Sequence, residues 1–180
     1  MTRAFHILVL GVVGAAIVHI AILMLLPVLS ERDAWARLAS QGDLRQPVRL
    51  EPSVEGSPVP LADPFFLGGG CRFDLHQHGV LHVTAGAGAP FWSVSVYDRR
   101  GYNLYSFNDR TAAGGRLDLA VATSAQLTEL RRELPDALAR SIFVEVDNPQ
   151  GIVVVRAFRP DPTFEPVVER FLGSIACEAV

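Results

Sequence analysis

Apolar positions are distributed unevenly along the chain. From Ile7 to Leu26 they run unbroken except at His19, and twenty helical residues reach about 30 Å, the thickness of a bilayer's hydrocarbon layer. The pattern predicts a transmembrane helix. A cleaved signal peptide is the competing reading. Its apolar region usually has only about 7–15 residues, and Leu26-Pro27-Val28-Leu29-Ser30-Glu31 offers no small-x-small cleavage site. Residues 1–30 therefore read as an uncleaved anchor. Glu31 to Ser40 continues as a short amphipathic helix, with Trp35 at the level of a membrane interface. Gln46 to Pro64 carries Pro47, Pro52, Pro58, Pro60 and Pro64 with Gly56 and Ser57, which deny both a helix and a central strand. Residues 31–64 thus form a short helix and a semi-extended linker.

After Gly68-Gly69-Gly70, read as a turn, the period changes to two. Arg72 to Leu75 and Val80 to Thr84 are predicted strands joined by the turn His76-Gln77-His78-Gly79. Trp92, Val94 and Val96 alternate with Ser93, Ser95 and Tyr97, the signature of a half-buried strand. The tight turn Asp98-Arg99-Arg100-Gly101 leads into Tyr102 to Phe107 and completes a hairpin. Leu117, Leu119 and Val121 form another alternating strand. Thr123 with Gln126 reads as a capping box opening a helix whose Leu127, Leu130 and Leu134 share a face until Pro135. Ile142-Val144-Val146 and Ile152 to Phe158 flank Asn148-Pro149-Gln150-Gly151 as a second hairpin. A last helix starts near Thr163 and buries Val167, Phe171 and Ile175. The expected class is α+β: an N-terminal transmembrane helix followed, over residues 65–180, by an antiparallel β-sandwich-like domain with two helices, its strands joined mainly as nearest-neighbour hairpins.

Composition narrows the class further. With 180 residues, 49% hydrophobic and 19% charged, the chain is too apolar for disorder and too short for several domains. All 16 basic residues are arginine, yet the net charge is −3, so the broad basic field that binds nucleic acid is missing. Charge also bears on orientation. Arg3 lies on one side of the helix and Arg32, Arg37, Arg45 and Arg49 on the other, which taken literally opposes an inward amino terminus. A first apolar segment behind so short a cationic leader nevertheless acts as a signal anchor, and long following domains translocate regardless of charge. The expectation is a single-pass bacterial inner-membrane protein with a periplasmic C-terminal domain. Gly11 and Gly14 lack the four-residue spacing of a helix-dimer motif, and His19 has no carboxylate partner for a proton relay.

The stretch Phe91-Trp92-Ser93-Val94-Ser95-Val96-Tyr97-Asp98, then Gly101, Tyr102-Asn103-Leu104-Tyr105-Ser106-Phe107-Asn108-Asp109-Arg110 and Gly114-Gly115, resembles short, membrane-anchored alphaproteobacterial members of the domain-of-unknown-function family twelve fifty-four. The resemblance covers nearly the whole chain, including the anchor, Cys71-Arg72-Phe73-Asp74-Leu75 and Ser141-Ile142-Phe143-Val144-Glu145. Longer members resemble soluble or secreted β-rich proteins that join this domain to a second one, of family twelve fourteen. The resemblance therefore implies that a separately encoded small protein supplies the second domain here. It implies no reaction and no catalytic residues.

Cys71 and Cys177 are the chain's only cysteines. Free thiols or a metal pair are alternatives, but two cysteines without neighbouring ligands make a poor zinc site, and a periplasmic domain favours a disulfide pinning the last helix to the start of the sheet. Asp74, His76, His78 and His82 are the densest metal-capable set, to be weighed against solvated turn residues, since Gly79 breaks their alignment on one strand face. Ser93 and Ser95 lack a nucleophile elbow, while Gly68-Gly69-Gly70 and Gly86-x-Gly88 lack the strand–helix context of a phosphate loop. Tyr102, Asn103, Tyr105, Phe107, Asn108, Asp109 and Arg110 gather polar groups beside aromatics as a partner-binding face. The functional expectation is a non-enzymatic envelope protein without a cofactor that docks with a small partner protein. The alternative is a periplasmic metal-dependent enzyme built on His76, His78 and His82.

Overall fold

A computed structural model describes residues 2–29, 34–50 and 63–180, with the backbone alone at 26–29 and 78. The chain divides into two units at Asp33/Ala34. The first is helix α1 (Thr2–Leu29), in which Thr2–Leu25 holds an 18-residue stretch of mean hydropathy 2.8 and is long and apolar enough to cross a membrane.

The second unit is built on two sheets. In the first the order is β1 (Val48–Leu50), β2 (Phe66–Asp74), β8 (Gln150–Phe158), β4 (Trp92–Asp98), β5 (Asn103–Asn108), all pairs antiparallel. The second runs β7 (Ile142–Glu145), β6 (Leu117–Ala122), β3 (Leu81–Ala85), β9 (Ala176–Ala179), with β6 and β7 parallel. The helices are α2 (Ala34–Ala39), the single turn α3 (Leu75–His78), α4 (Ser124–Leu130) and α5 (Glu165–Gly173). Inward positions of both sheets meet in one core. Phe73, Val94, Val96, Val153 and Val155 come from the first sheet, Val83, Leu117, Leu119 and Val121 from the second, and Val168, Phe171 and Leu172 from α5. Trp92 sits among them, edge-on to Phe107 and stacked on Phe171, and its Nε1 donates to the Gly115 carbonyl at 3.1 Å, which satisfies the one polar group it buries.

Several expected elements change partners. The Gly68–Gly70 run is strand, not turn: these residues pair with Arg156, Val155 and Val154. Close approach explains the glycines, since a Cβ at Gly70 would lie 2.4 Å from the Val153 carbonyl oxygen and one at Gly69 would press on Ile175 of the core. Strands β2 and β3 do not form a hairpin. Asp74 caps α3 by accepting from the His76 amide, and the chain then crosses to the other sheet. Strands β7 and β8 likewise lie in different sheets, so Asn148-Pro149 belongs to a crossing and Gln150-Gly151 opens β8. Most strand pairs are therefore distant in sequence rather than nearest-neighbour hairpins. Helix α4 keeps its Thr123/Gln126 capping box but ends at Leu130, leaving Leu134 exposed. The last helix begins at Glu165, after a 3₁₀ turn at Pro162–Phe164, with Val167 only partly buried. The four residues carrying Cys177 are a strand.

The short helix and the start of the proline-rich stretch belong to this unit; residues 51–62 of that stretch lie outside the described residues. Pro47 and Pro52 bracket four residues free of proline, and at a sheet edge the first three of them are enough for β1. Helix α2 covers the outer face of the first sheet, where Leu38 packs with Leu50, Ile152 and Val154. Its Trp35 ring lies 4.6 Å from each of the Arg72 and Arg99 guanidiniums. Burial pulls Arg72 below its usual pKa, opposed by Asp43, and its Nη2 donates to the Gly42 carbonyl. Strand β8 is thus covered on both faces, which is why Ile152 to Val155 is an uninterrupted apolar run.

Candidate functional site

The seven residues expected to form a partner face do not share one surface. Strand β5 ends the first sheet, and its alternation puts Tyr105 and Phe107 on the core side, opposite Val96 and Val94. Phe107 is 8% exposed and packs on Trp92, so it belongs to the core. Tyr105 lies 6.1 Å from Phe107, centroid to centroid, but hangs over the open edge and is 44% exposed. Tyr102, in the turn, is 67% exposed. Asn108 caps a turn, its side chain accepting from the Arg110 amide and its carbonyl from Thr111. Asp109 is half-buried, and its Oδ1 is shielded from solvent with no hydrogen-bond partner among the described residues. Arg110 is exposed.

Asn103 faces the opposite way, into a polar network on the outer side of the sheet. Its Nδ2 donates to Ser106 Oγ at 2.8 Å, that hydroxyl donates to Ser95 Oγ at 2.9 Å, and Arg156 Nη2 donates to the Tyr97 hydroxyl at 2.9 Å. Burial alone would raise the Tyr97 phenol, but hydrogen bonding to Arg156, Ser95 and Asn103, together with the Arg156 charge, outweighs it and lowers the pKa. Ser95, expected on a polar strand face, is buried in this network.

Three large apolar side chains of this hairpin are exposed: Tyr102, Leu104 and Tyr105. Leu104 is the extra residue of a bulge, since Val96 pairs with Tyr105 and Tyr97 with Asn103, and it is 42% exposed. The bulge at one end and the Thr111 turn at the other shorten the free backbone edge, so side chains rather than ladder hydrogen bonds dominate what β5 offers. A groove of about 450 Å³ lies between α4 and β7 and is lined by Leu127, Leu130, Leu134 and Phe143 together with Arg131 and Glu145.

The metal-capable residues are dispersed. Asp74 accepts from the His76 amide and from Gln150 Nε2, His76 is exposed, and His82 points from β3 toward β6. The side chain of His78 lies outside the described residues. Among the described residues no three of His, Cys, Asp and Glu are grouped to hold a metal ion. Cys71 and Cys177 form a disulfide linking β2 to β9.

Sequence reasoning missed a cluster of three polar side chains on the outer face of the second sheet. Asp118 Oδ1 accepts from Ser141 Oγ at 2.5 Å and from His82 Nε2 at 3.0 Å, with Ser141 Oγ 3.4 Å from the same ring nitrogen. The composition suggests a hydrolase triad, but the geometry opposes it. A triad uses two different imidazole nitrogens, one toward the carboxylate and one toward the nucleophile. Here Nε2, donating to Asp118, has no lone pair for the serine proton, and that proton already points at Asp118. The three residues lie 23 to 59 positions apart, so no spacing announces them; the available signal was a polar residue at an outward position of each of two apolar strands.

No family model matches the chain, and no curated protein matches it. Solved structures that share the fold include two bacterial proteins. The VPA0106 protein from Vibrio parahaemolyticus superposes with a TM-score of 0.59 at 14% identity, over 83% of this chain and 35% of its own. An uncharacterised protein from Burkholderia cenocepacia gives 0.51 at 14% identity, over 82% of this chain and 38% of its own. The chain spans little more than a third of either protein, and at such identity the likeness concerns the fold.

Proposed function

We propose that this protein is a single-pass inner-membrane protein whose β-rich domain stands in the periplasm and docks, without catalysing a reaction, with a separately encoded small envelope protein. Helix α1 is the anchor, and the two sheets sharing one core are a β-sandwich. The observation that carries the docking role is the exposed apolar set of Tyr102, in the turn before the terminal strand of the first sheet, and Leu104 and Tyr105 on that strand, two of them tyrosine, a residue type that anchors interfaces. The resemblance to family twelve fifty-four supports it, as does the length of the two solved proteins with this fold. Nearly two thirds of each lies beyond the matched part, and contacts between domains of one chain bury about 600–1,500 Å².

Two measurements test the reading. A photo-cross-linking residue at Tyr102 in native membranes should give one discrete protein adduct that is absent when the probe sits at exposed Glu129 on α4; no adduct at Tyr102 removes the docking face. Alkaline phosphatase fused after Val180 should be active, and a fluorescent protein that folds only in the cytoplasm should be dark there. The reverse pattern removes the periplasmic placement.

A further inference from the structure

A small cleft opens where β6 begins and the chain enters β7. Its volume is about 180 Å³, and Thr111, Ala112, Arg116, Asp118, Arg140 and Ile142 line it. Both guanidiniums are unspent: neither Arg116 nor Arg140 makes an ion pair or side-chain hydrogen bond among the described residues. Asp118 is held in place through one oxygen only. Oδ1 takes the Ser141 hydroxyl and His82 Nε2, while Oδ2 has no partner among the described residues. The cleft therefore offers two positive groups together with a positioned carboxylate that has acceptor capacity left over.

We propose that this cleft binds a small α-amino acid, its carboxylate on Arg116 and Arg140 and its ammonium on Asp118 Oδ2. The mixed charge selects the class. A plain anion such as phosphate or acetate would satisfy the guanidiniums but face the Asp118 carboxylate, and a plain amine would satisfy Asp118 but face two guanidiniums. A zwitterion whose charges are two bonds apart meets both demands, and guanidinium is the donor best matched to carboxylate geometry. The volume lies below the usual range for drug-sized ligands, about 300–1,000 Å³, so the ligand is small. The Ser141–Asp118–His82 cluster becomes a positioning device that fixes the carboxylate. The inference rests neither on the anchor nor on the docking face.

The test is calorimetric titration of the full chain in detergent micelles with L-serine, L-lactate, acetate, phosphate and ethylammonium. Serine should bind saturably, and the other four at least about tenfold more weakly. Arg116→Gln and Arg140→Gln, both at exposed positions and so without effect on the thermal midpoint, should each weaken serine by about tenfold or more. Asp118→Asn should abolish the preference of serine over acetate. Absence of serine binding at about 10 mM, phosphate or lactate binding as tightly as serine, or arginine variants that bind serine unchanged would each overturn the assignment.

Discussion

At the scale of the residue, the β4–β5 hairpin holds buried and exposed aromatic rings within a few positions of each other. Phe107 is enclosed by Trp92 and Tyr105, so Phe107→Ala should cost about 3 kcal/mol through lost transfer energy and a cavity. Tyr102→Ala removes an exposed ring and should shift stability by less than about 0.5 kcal/mol. Under the docking proposal it should weaken partner association by more than about 1 kcal/mol. Thermal midpoints and partner recovery measured on both variants check this; equal destabilisation by the two would place Tyr102 in the core. Asp161 supplies a pH test. The Thr163 hydroxyl and amide donate to its carboxylate at 2.6 and 2.8 Å and hold its pKa below the usual carboxylate value. Because the folded pKa is depressed, this cap is intact at neutral pH and is lost only as the pH falls through the lowered value. The Thr163 amide shift should therefore titrate with a midpoint below that of an unperturbed aspartate. A midpoint at or above that contradicts the cap.

At the scale of the element, α2 is too short to be a stable helix alone; its six residues persist because Leu38 and Trp35 are clamped to the first sheet. Trp35→Ala should cost about 2 kcal/mol and strip hydrogen-exchange protection from the amides of 34–39, while leaving those of β6 protected. Uniform loss of protection would show that Trp35 is part of the global core instead. The same contrast between local and distant support explains what was legible in the sequence. The β4–β5 hairpin and the Thr123/Gln126 box were readable because their determinants lie within a few residues. The β7–β8 hairpin was misread because alternation and a Pro-Gly turn look alike whether the second strand pairs with the first or crosses to another sheet. The glycine run was misread because its cause, the Val153 carbonyl and the side chain of Ile175, is more than 80 residues away. The Ser141–Asp118–His82 cluster is assembled by strands from separate parts of the chain, so only the three-dimensional pairing of β3, β6 and β7 reveals it.

At the scale of the whole domain, the question is what keeps the two sheets together. Apolar burial is the main part of the answer, but Cys71 lies in one sheet and Cys177 in the other, and the disulfide between them closes 106 residues of sequence separation. That covalent tie lies inside the shared core, where both residues are buried, and loop-closure entropy assigns a loop of this length about 3–5 kcal/mol. Reduction, or the Cys71→Ala/Cys177→Ala pair, should therefore lower the thermal midpoint of the domain by roughly 6–20 °C, taking about 2–4 °C per kcal/mol at this size. The redox state also reports on the proposed topology. A disulfide persists in an oxidising compartment and is rare in a bacterial cytoplasm. Protein extracted from native membranes and alkylated before reduction should carry no label on either cysteine, whereas the same chain with α1 deleted, retained in the cytoplasm, should carry two. If the native protein is labelled at both positions, the domain does not lie in an oxidising compartment, and the periplasmic placement falls with the disulfide.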